Sequence, residues 1–296
     1  MKNVNMWGSL LITILFVVGC STTKNKNTSQ DHHYSESDLE KLDEKAINEG
    51  KVVIVKYINL KDISLVGNSS AWASAPRTVV DLTSQRFVIP HGGGSTRTVT
   101  AQALHNRKQV AFKVTWDDVS VNLENGVDTF RDSVAVAFPT SLGEDEPNPY
   151  MGDEDNPINI WQWRSDWQGD KDGTRDLSKR QPVTDGVYRY DLDKKYTHKY
   201  FPHRVKTAPI IEYIAAGYGS LTKQKHQNVF GNGVYKNGKW SVVFLRKLKR
   251  NEKGDAIFIP GKSTLINFAV WDGNENEVNG KKSVSLAWLK LSFDKK

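Results

Sequence analysis

The sequence predicts a mainly β protein: an antiparallel β-sandwich with long loops and a few short helices, spanning residues 51–296. Short β-branched or alternating apolar runs recur along the chain, and Gly- and Asn-bearing turns separate them. No long amphipathic helical period interrupts the series. In order, residues 51–60 form a β-branched run, and 98–103 and 109–116 alternate about the turn His105, Asn106, Arg107, Lys108, as a hairpin does. Residues 133–138 follow, then 233–235 joined through Asn237-Gly238 to 239–248, then 265–271 and 284–293. A body of about 245 residues suits one sandwich better than two domains. Two stretches, 139–184 and 191–221, read as long loops, a feature that is uncommon in a small domain unless it serves function. The first is acidic at Glu144-Asp145-Glu146 and Asp153-Glu154-Asp155; the second is basic from Lys194-Lys195 to Lys206.

The N-terminus has the pattern of a lipoprotein signal over residues 1–19. One Lys precedes an apolar run from Leu10 to Val18, too short for a stable span, and Gly19 then leads to Cys20, the expected lipidation site. Residues 20–50 read as a tether, polar and without period until a short charged helix with Leu39, Leu42 and Ala46 on one face. The expected location is the periplasmic face of a membrane, the outer one if the source has two. Cys20 is the only cysteine, which excludes disulfides, thiolate zinc sites, iron–sulfur clusters and covalently attached haem. The net charge is +7; residues 21–50 hold four Lys against seven Asp and Glu, so the basic balance belongs to the body. An acidic partner surface, an anionic membrane or an anionic ligand fits that balance, and nucleic acid does not fit an exported protein.

Catalytic signatures are absent: there is no GxSxG elbow, no HExxH and no P-loop, and Gly92-Gly93-Gly94 lacks dinucleotide-binding spacing and reads as a flexible turn. The unusual stretch is 138–167, where Met151 sits in a Pro- and Gly-punctuated acidic loop ahead of Trp161, Trp163 and Trp167. A soft thioether beside a wall of indoles suits a flat aromatic cofactor such as haem.

Six motifs carry a resemblance. They are Ala103-Leu104-His105 to Trp116-Asp117-Asp118, Phe130 to Val136, Met151-Gly152 to Trp161-Gln162-Trp163, Gly217 to Thr222, Trp240 to Phe244, and Phe268 to Gly273 with Gly280 to Ser285. Together the chain resembles the ethylbenzene-dehydrogenase-related haem-binding domain, the γ subunit of the type II dimethyl-sulfoxide-reductase group of molybdoenzymes. The resemblance implies one non-covalent haem b held by an axial Met and an axial Lys. The Met falls on Met151. The Lys falls in or after the strand that begins at Trp240, on Lys247 or Lys249, which share a face by alternation; Lys247, nearer the apolar strand body, is favoured. His198 and His203 are alternative ligands, with His105 a further one. Trp161, Trp163 and Trp271 would line the haem or fill the core, and Arg164, Arg204 or Arg246 would pair with its propionates. A six-coordinate iron favours electron transfer over substrate chemistry. The implied partners are molybdenum and iron–sulfur subunits or a periplasmic cytochrome, with the membrane reached through Cys20. The lipobox departs from the soluble γ subunits and favours a role at a membrane surface. A second function class also fits a sandwich: a haem-free lipoprotein that holds a carbohydrate or other small ligand against Trp161, Trp163 or Trp167.

Overall fold

The computed structural model describes residues 48–175 and 208–296, apart from 127 and 144. Cys20, His198, His203 and Arg204, with the expected tether helix, lie outside the described residues. The described strands are β1 (Val52–Tyr57), β2 (Thr78–Asp81), β3 (Thr83–Ser84), β4 (Thr98–His105), β5 (Gln109–Asp117), β6 (Ser133–Pro139), β7 (Ile158–Arg164), β8 (Ile210–Ala215), β9 (Thr222–Lys223), β10 (Phe230–Tyr235), β11 (Lys239–Lys247), β12 (Ser263–Trp271), β13 (Ser283–Val284) and β14 (Leu289–Phe293). An α-helix, α1 (Ser165–Asp172), follows β7 directly. Among the described residues no helix is long and apolar enough to cross a membrane.

The strands make a sandwich whose two sheets share one strand. The first runs β10-β11-β5-β4-β1-β14 and the second β6-β7-β8-β9, with β12 between them. Ser263 to Ile266 of β12 pair with β14, and Asn267 to Trp271 pair with β6, so the chain turns the corner within one strand. The pairing is mixed. β1 lies parallel to both β14 and β4, where a purely antiparallel sandwich was expected, because side-chain alternation reports which face a residue takes and not the direction of its neighbour. β7 and β8 correct the sequence reading further, since both fall in stretches expected to be loops. These are inner strands of the second sheet, buried on both faces, and so lack the alternation that marks a half-solvated strand.

The core lies between the sheets. Phe112 and Trp116 of β5 and Trp240 of β11 meet Phe138 of β6 and Trp161 and Trp163 of β7. Ring centroids are 5.0 Å apart for Phe112–Phe138, 4.8 Å for Phe138–Trp161 and 4.7 Å for Trp163–Trp240. Trp161 and Trp163 are fully buried, and loss of such a side chain typically costs about 3–5 kcal/mol. Their indoles are anchored: Trp161 Nε1 donates to Asn159 Oδ1 at 2.7 Å and Trp163 Nε1 to Gln168 Oε1 at 3.1 Å.

β10 packs flush on Trp163 because it carries glycine where a side chain would collide. A Cβ on Gly233 would lie 2.4 Å from Trp163 Cζ2, and one on Gly231 equally close to Ile210 Cδ1. Gly233→Ala is therefore expected to overpack this corner and lower stability by about 1–3 kcal/mol, read as a shift in the urea midpoint with the slope unchanged; an unaltered midpoint would mean that the contact is not tight.

Candidate cofactor cavity

Alternation assigns the second sheet two different faces. On β7, Trp161 and Trp163 point into the core, so Ile158, Ile160, Gln162 and Arg164 point away from it; on β6, Val134, Val136 and Phe138 point in, and Ser133, Ala135 and Ala137 away. The outward set forms the floor of a cavity of about 520 Å³, within the range of small-molecule and cofactor sites. Ala135, Ala137 and Ala269 are short, which leaves a recess on that face in which a flat ligand fits. Loops around Phe87, Met151, Tyr218 and Lys282 wall it, and Arg131 and Arg164 line it as well.

Met151 reaches the cavity from a loop tied to the sheet by hydrogen bonds. Asn267 Nδ2 donates to Pro149 O at 3.2 Å, Trp288 Nε1 to Pro147 O at 2.6 Å, and Gly217 N to Met151 O at 3.0 Å. Gly152 takes φ +70°, and a Cβ there would stand 2.9 Å from Ala215 O, so glycine is required for the loop to press on β8. Tyr150 stacks on Phe87 with ring centroids 3.7 Å apart, joining two walls beside Met151.

Among the described residues that line the cavity, Lys282 is the one lysine and there is no histidine. Its ammonium lies 5.1 Å from the Trp271 ring centroid, and burial pulls its pKa down to about 8. The Gly92–Gly94 segment, expected to be a flexible turn, instead clamps the lysine's backbone. Lys282 N donates to Gly92 O at 3.1 Å, and a Cβ on Gly93 would lie 2.3 Å from Lys282 N.

The family model for ethylbenzene dehydrogenase matches residues 69–283, a span that takes in both Met151 and Lys282. The chain belongs to the ethylbenzene dehydrogenase family. Within it, the chain is similar to chlorate reductase subunit gamma of Ideonella dechloratans, 25% identical over 79% of this chain and 84% of that protein. It is similar to a protein of Haloferax mediterranei named as a respiratory nitrate reductase heme subunit, ORF7, 25% identical over 76% of this chain and 67% of that one. It is likewise 26% identical to dimethylsulfide dehydrogenase subunit gamma of Rhodovulum sulfidophilum, over 74% and 71% of the two chains.

In this family member the residues singled out from sequence fall in different places. Met151 lines the cavity. Lys247 and Lys249 do not: Lys247 ends β11 in the first sheet, both are exposed, and alternation puts Lys247 with Val243 and Leu245 on that sheet's outer side. Arg246 points the other way, into the core, with its guanidinium 5.1 Å from Trp161 and 5.0 Å from Phe258, Nη2 donating to Ala256 O at 2.7 Å, and Nη1 4.0 Å from Glu212 Oε1. Trp161 and Trp163 are core residues outside the cavity lining, whereas Trp271 belongs to that lining. His105 is buried in β4, away from the cavity, between Tyr57 and Phe293, and burial lowers its pKa. Parity along β11 was legible in the sequence; the sheet to which β11 belongs was not. Lys282 falls within the Gly280 to Ser285 motif but was not singled out as a site residue, because it stands in a Gly- and Lys-rich turn with no periodic pattern.

Arg131 and Arg164 are positioned by α1. Arg164 Nη2 and Nε reach the two oxygens of Asp166 at 2.9 and 3.2 Å, Arg131 Nε lies 3.3 Å from Oδ1, and Arg175 Nη1 4.0 Å from Oδ2. Burial alone would raise the Asp166 carboxyl, but Arg164, Arg131 and Arg175 outweigh it and hold the pKa at about 2. Because the folded value lies below the unfolded one, this contribution is complete above about pH 4 and is lost as pH falls toward 2. Asp166→Asn leaves buried guanidinium groups without their partner and is expected to cost about 3–5 kcal/mol near neutrality. Denaturant titrations from pH 2 to 7 should show the gap between parent and variant closing on the acid side; a gap independent of pH would contradict the ion-pair account.

Proposed function

We propose that this chain is a haem-binding electron-transfer subunit, with one haem b lying in the cavity on the outer face of the second sheet and Met151 and Lys282 as its axial ligands. The observation that carries the reading is chemical: among the described residues, a largely apolar cavity of cofactor size is lined by one thioether and by one amine whose burial brings its pKa to about 8. Lys282 replaces Lys247 in this reading because Lys247 stands outside the cavity.

Bound haem would supply a one-electron couple, and Met151 and Lys282 would be the residues that hold it. The chain's own residues do the rest. Lys282 offers its lone pair when neutral, a form that gains population as pH rises through about 8. Met151 offers sulfur from a loop whose hydrogen bonds fix its height above the sheet. Arg131 and Arg164 offer positive charge to propionates and stay oriented by Asp166. Ile158, Ile160 and Ala135 exclude water from the floor, which moves the potential of a bound redox group.

The relatives are named as subunits of a chlorate reductase, a nitrate reductase and a dimethylsulfide dehydrogenase, which supports an oxidoreductase as the partner; the resemblance read from the sequence implies that this partner carries molybdenum and iron–sulfur centres and that a periplasmic or membrane carrier stands on the other side of the relay. The pattern ending at Cys20 supports a lipid anchor at a membrane surface.

The test is optical. After reconstitution with haem, the parent is expected to show the Soret and sharp α bands of a six-coordinate, low-spin centre. Met151→Ala and Lys282→Ala should each shift the spectrum toward five-coordinate, high-spin haem, while Lys247→Ala should leave it unchanged. Absence of a Soret band in the parent overturns haem binding; an unaltered spectrum in folded Lys282→Ala overturns the second ligand only.

A further inference from the structure

Three carboxylates from three elements meet where the two sheets join. Asp118 follows β5, Asp132 precedes β6 and Asp272 follows β12, and β12 and β6 are registered so that Trp271 faces Ser133. One oxygen from each side chain lies within 4.8 Å of the other two, and all three residues are buried. None of them serves the cavity, whose lining includes their sequence neighbours Arg131, Ser133 and Trp271 instead.

Their partners are neutral donors. Asp132 Oδ2 accepts from Asn122 N at 2.8 Å and Trp240 Nε1 at 3.0 Å, and its Oδ1 from Gly273 N at 3.0 Å. Asp118 Oδ1 accepts from Ser120 N at 3.0 Å and Asp272 Oδ1 from Asn274 N at 2.9 Å. Among the described residues no Lys, Arg or His forms an ion pair with any of the three. Asp118 is 4% exposed, and its Oδ2 is closed to solvent and makes no hydrogen bond of normal geometry, the Trp116 indole being the side-chain donor that faces the carboxyl and partly offsets its burial. A buried carboxylate oxygen without a donor is costly, and two further carboxylates beside it add repulsion. Burial and this crowding push Asp132 to about 7 and Asp118 to about 6.

We propose that Asp118, Asp132 and Asp272 form a binding site for a hard divalent cation of the Ca²⁺ class. The donor set is oxygen only, which disfavours soft and borderline metals, and three oxygens within 4.8 Å can share one ion at the 2.3–2.6 Å distances typical of Ca²⁺. The ion satisfies the free Asp118 oxygen and cancels the repulsion. It also pins the end of β5, from the first sheet, to the ends of β6 and β12 in the second, beside the cavity floor.

The full chain, stripped with EDTA and dialysed, is titrated with CaCl₂ and followed by thermal unfolding and by calorimetry. The expected result is one ion per chain and a saturable rise in Tm, as binding to the folded state alone requires. Both should be lost in Asp118→Asn and in Asp132→Asn. The first keeps the donors to Asp132 in place and is the variant of choice if the second does not fold. No heat and no rise in Tm in the parent overturns the site, and so does a rise that persists undiminished in both variants, which would place the ion elsewhere, for example on the acidic loop at 145–155. If neither variant folds, the parent decides: one ion per chain supports the site and none overturns it.

Discussion

The second sheet is covered on both faces, and the rest of the structure follows from that constraint. One face is filled by Trp161, Trp163 and Phe138, interlocked with Phe112, Trp116 and Trp240 of the first sheet. The other presents Ala135, Ala137 and Ala269 beside Ile158, Ile160, Gln162 and Arg164, and the alanines leave a recess among the longer side chains. The recess is closed by loops instead of by a third layer, and the loops bring Met151 and Lys282 to it.

Two glycine contacts set where those groups arrive. Gly152 lets the Met151 loop lie against the backbone of β8, and Gly93 lets its segment lie against the backbone of Lys282. Both sit at positive φ, in a region disfavoured for other residues, so the cost of substitution is conformational as well as steric. Met151 and Lys282 are therefore both placed by backbone contact, and the proposed ligands would have little room to move when the charge of a bound redox group changes. The Asp166 cluster plays the same part for Arg131 and Arg164: a buried carboxylate fixes cations that would otherwise sample many rotamers.

The sequence showed the sandwich and most strand positions, and it drew attention to the loop of Met151, because each rests on a local signal: alternation, turn residues, or one conspicuous side chain in a punctuated loop. It hid β7 and β8, since strands buried on both faces do not alternate, and it hid the parallel pairing of β1, since direction is not encoded in alternation. The indoles were legible as a group but not in their direction: Trp161 and Trp163 lie one pleat from the cavity and face away from it, while Trp271 faces it. The lysine was the hardest to read. Lys247 and Lys282 are both followed or preceded by apolar strand residues, and only the packing of two sheets, with a loop of glycines pressed on residue 282, separates an exposed strand end from a cavity wall. Family membership, fixed over residues 69–283, covers both lysines and so does not choose between them.

The central claim is that the cofactor lies outside the sandwich core, on the far face of the second sheet. A crystal structure of the haem-loaded chain tests it most directly. The account predicts iron between Met151 Sδ and Lys282 Nζ, with Trp161 and Trp163 still packed between the sheets. Iron found between the sheets, or held by any histidine or by Lys247, would contradict it.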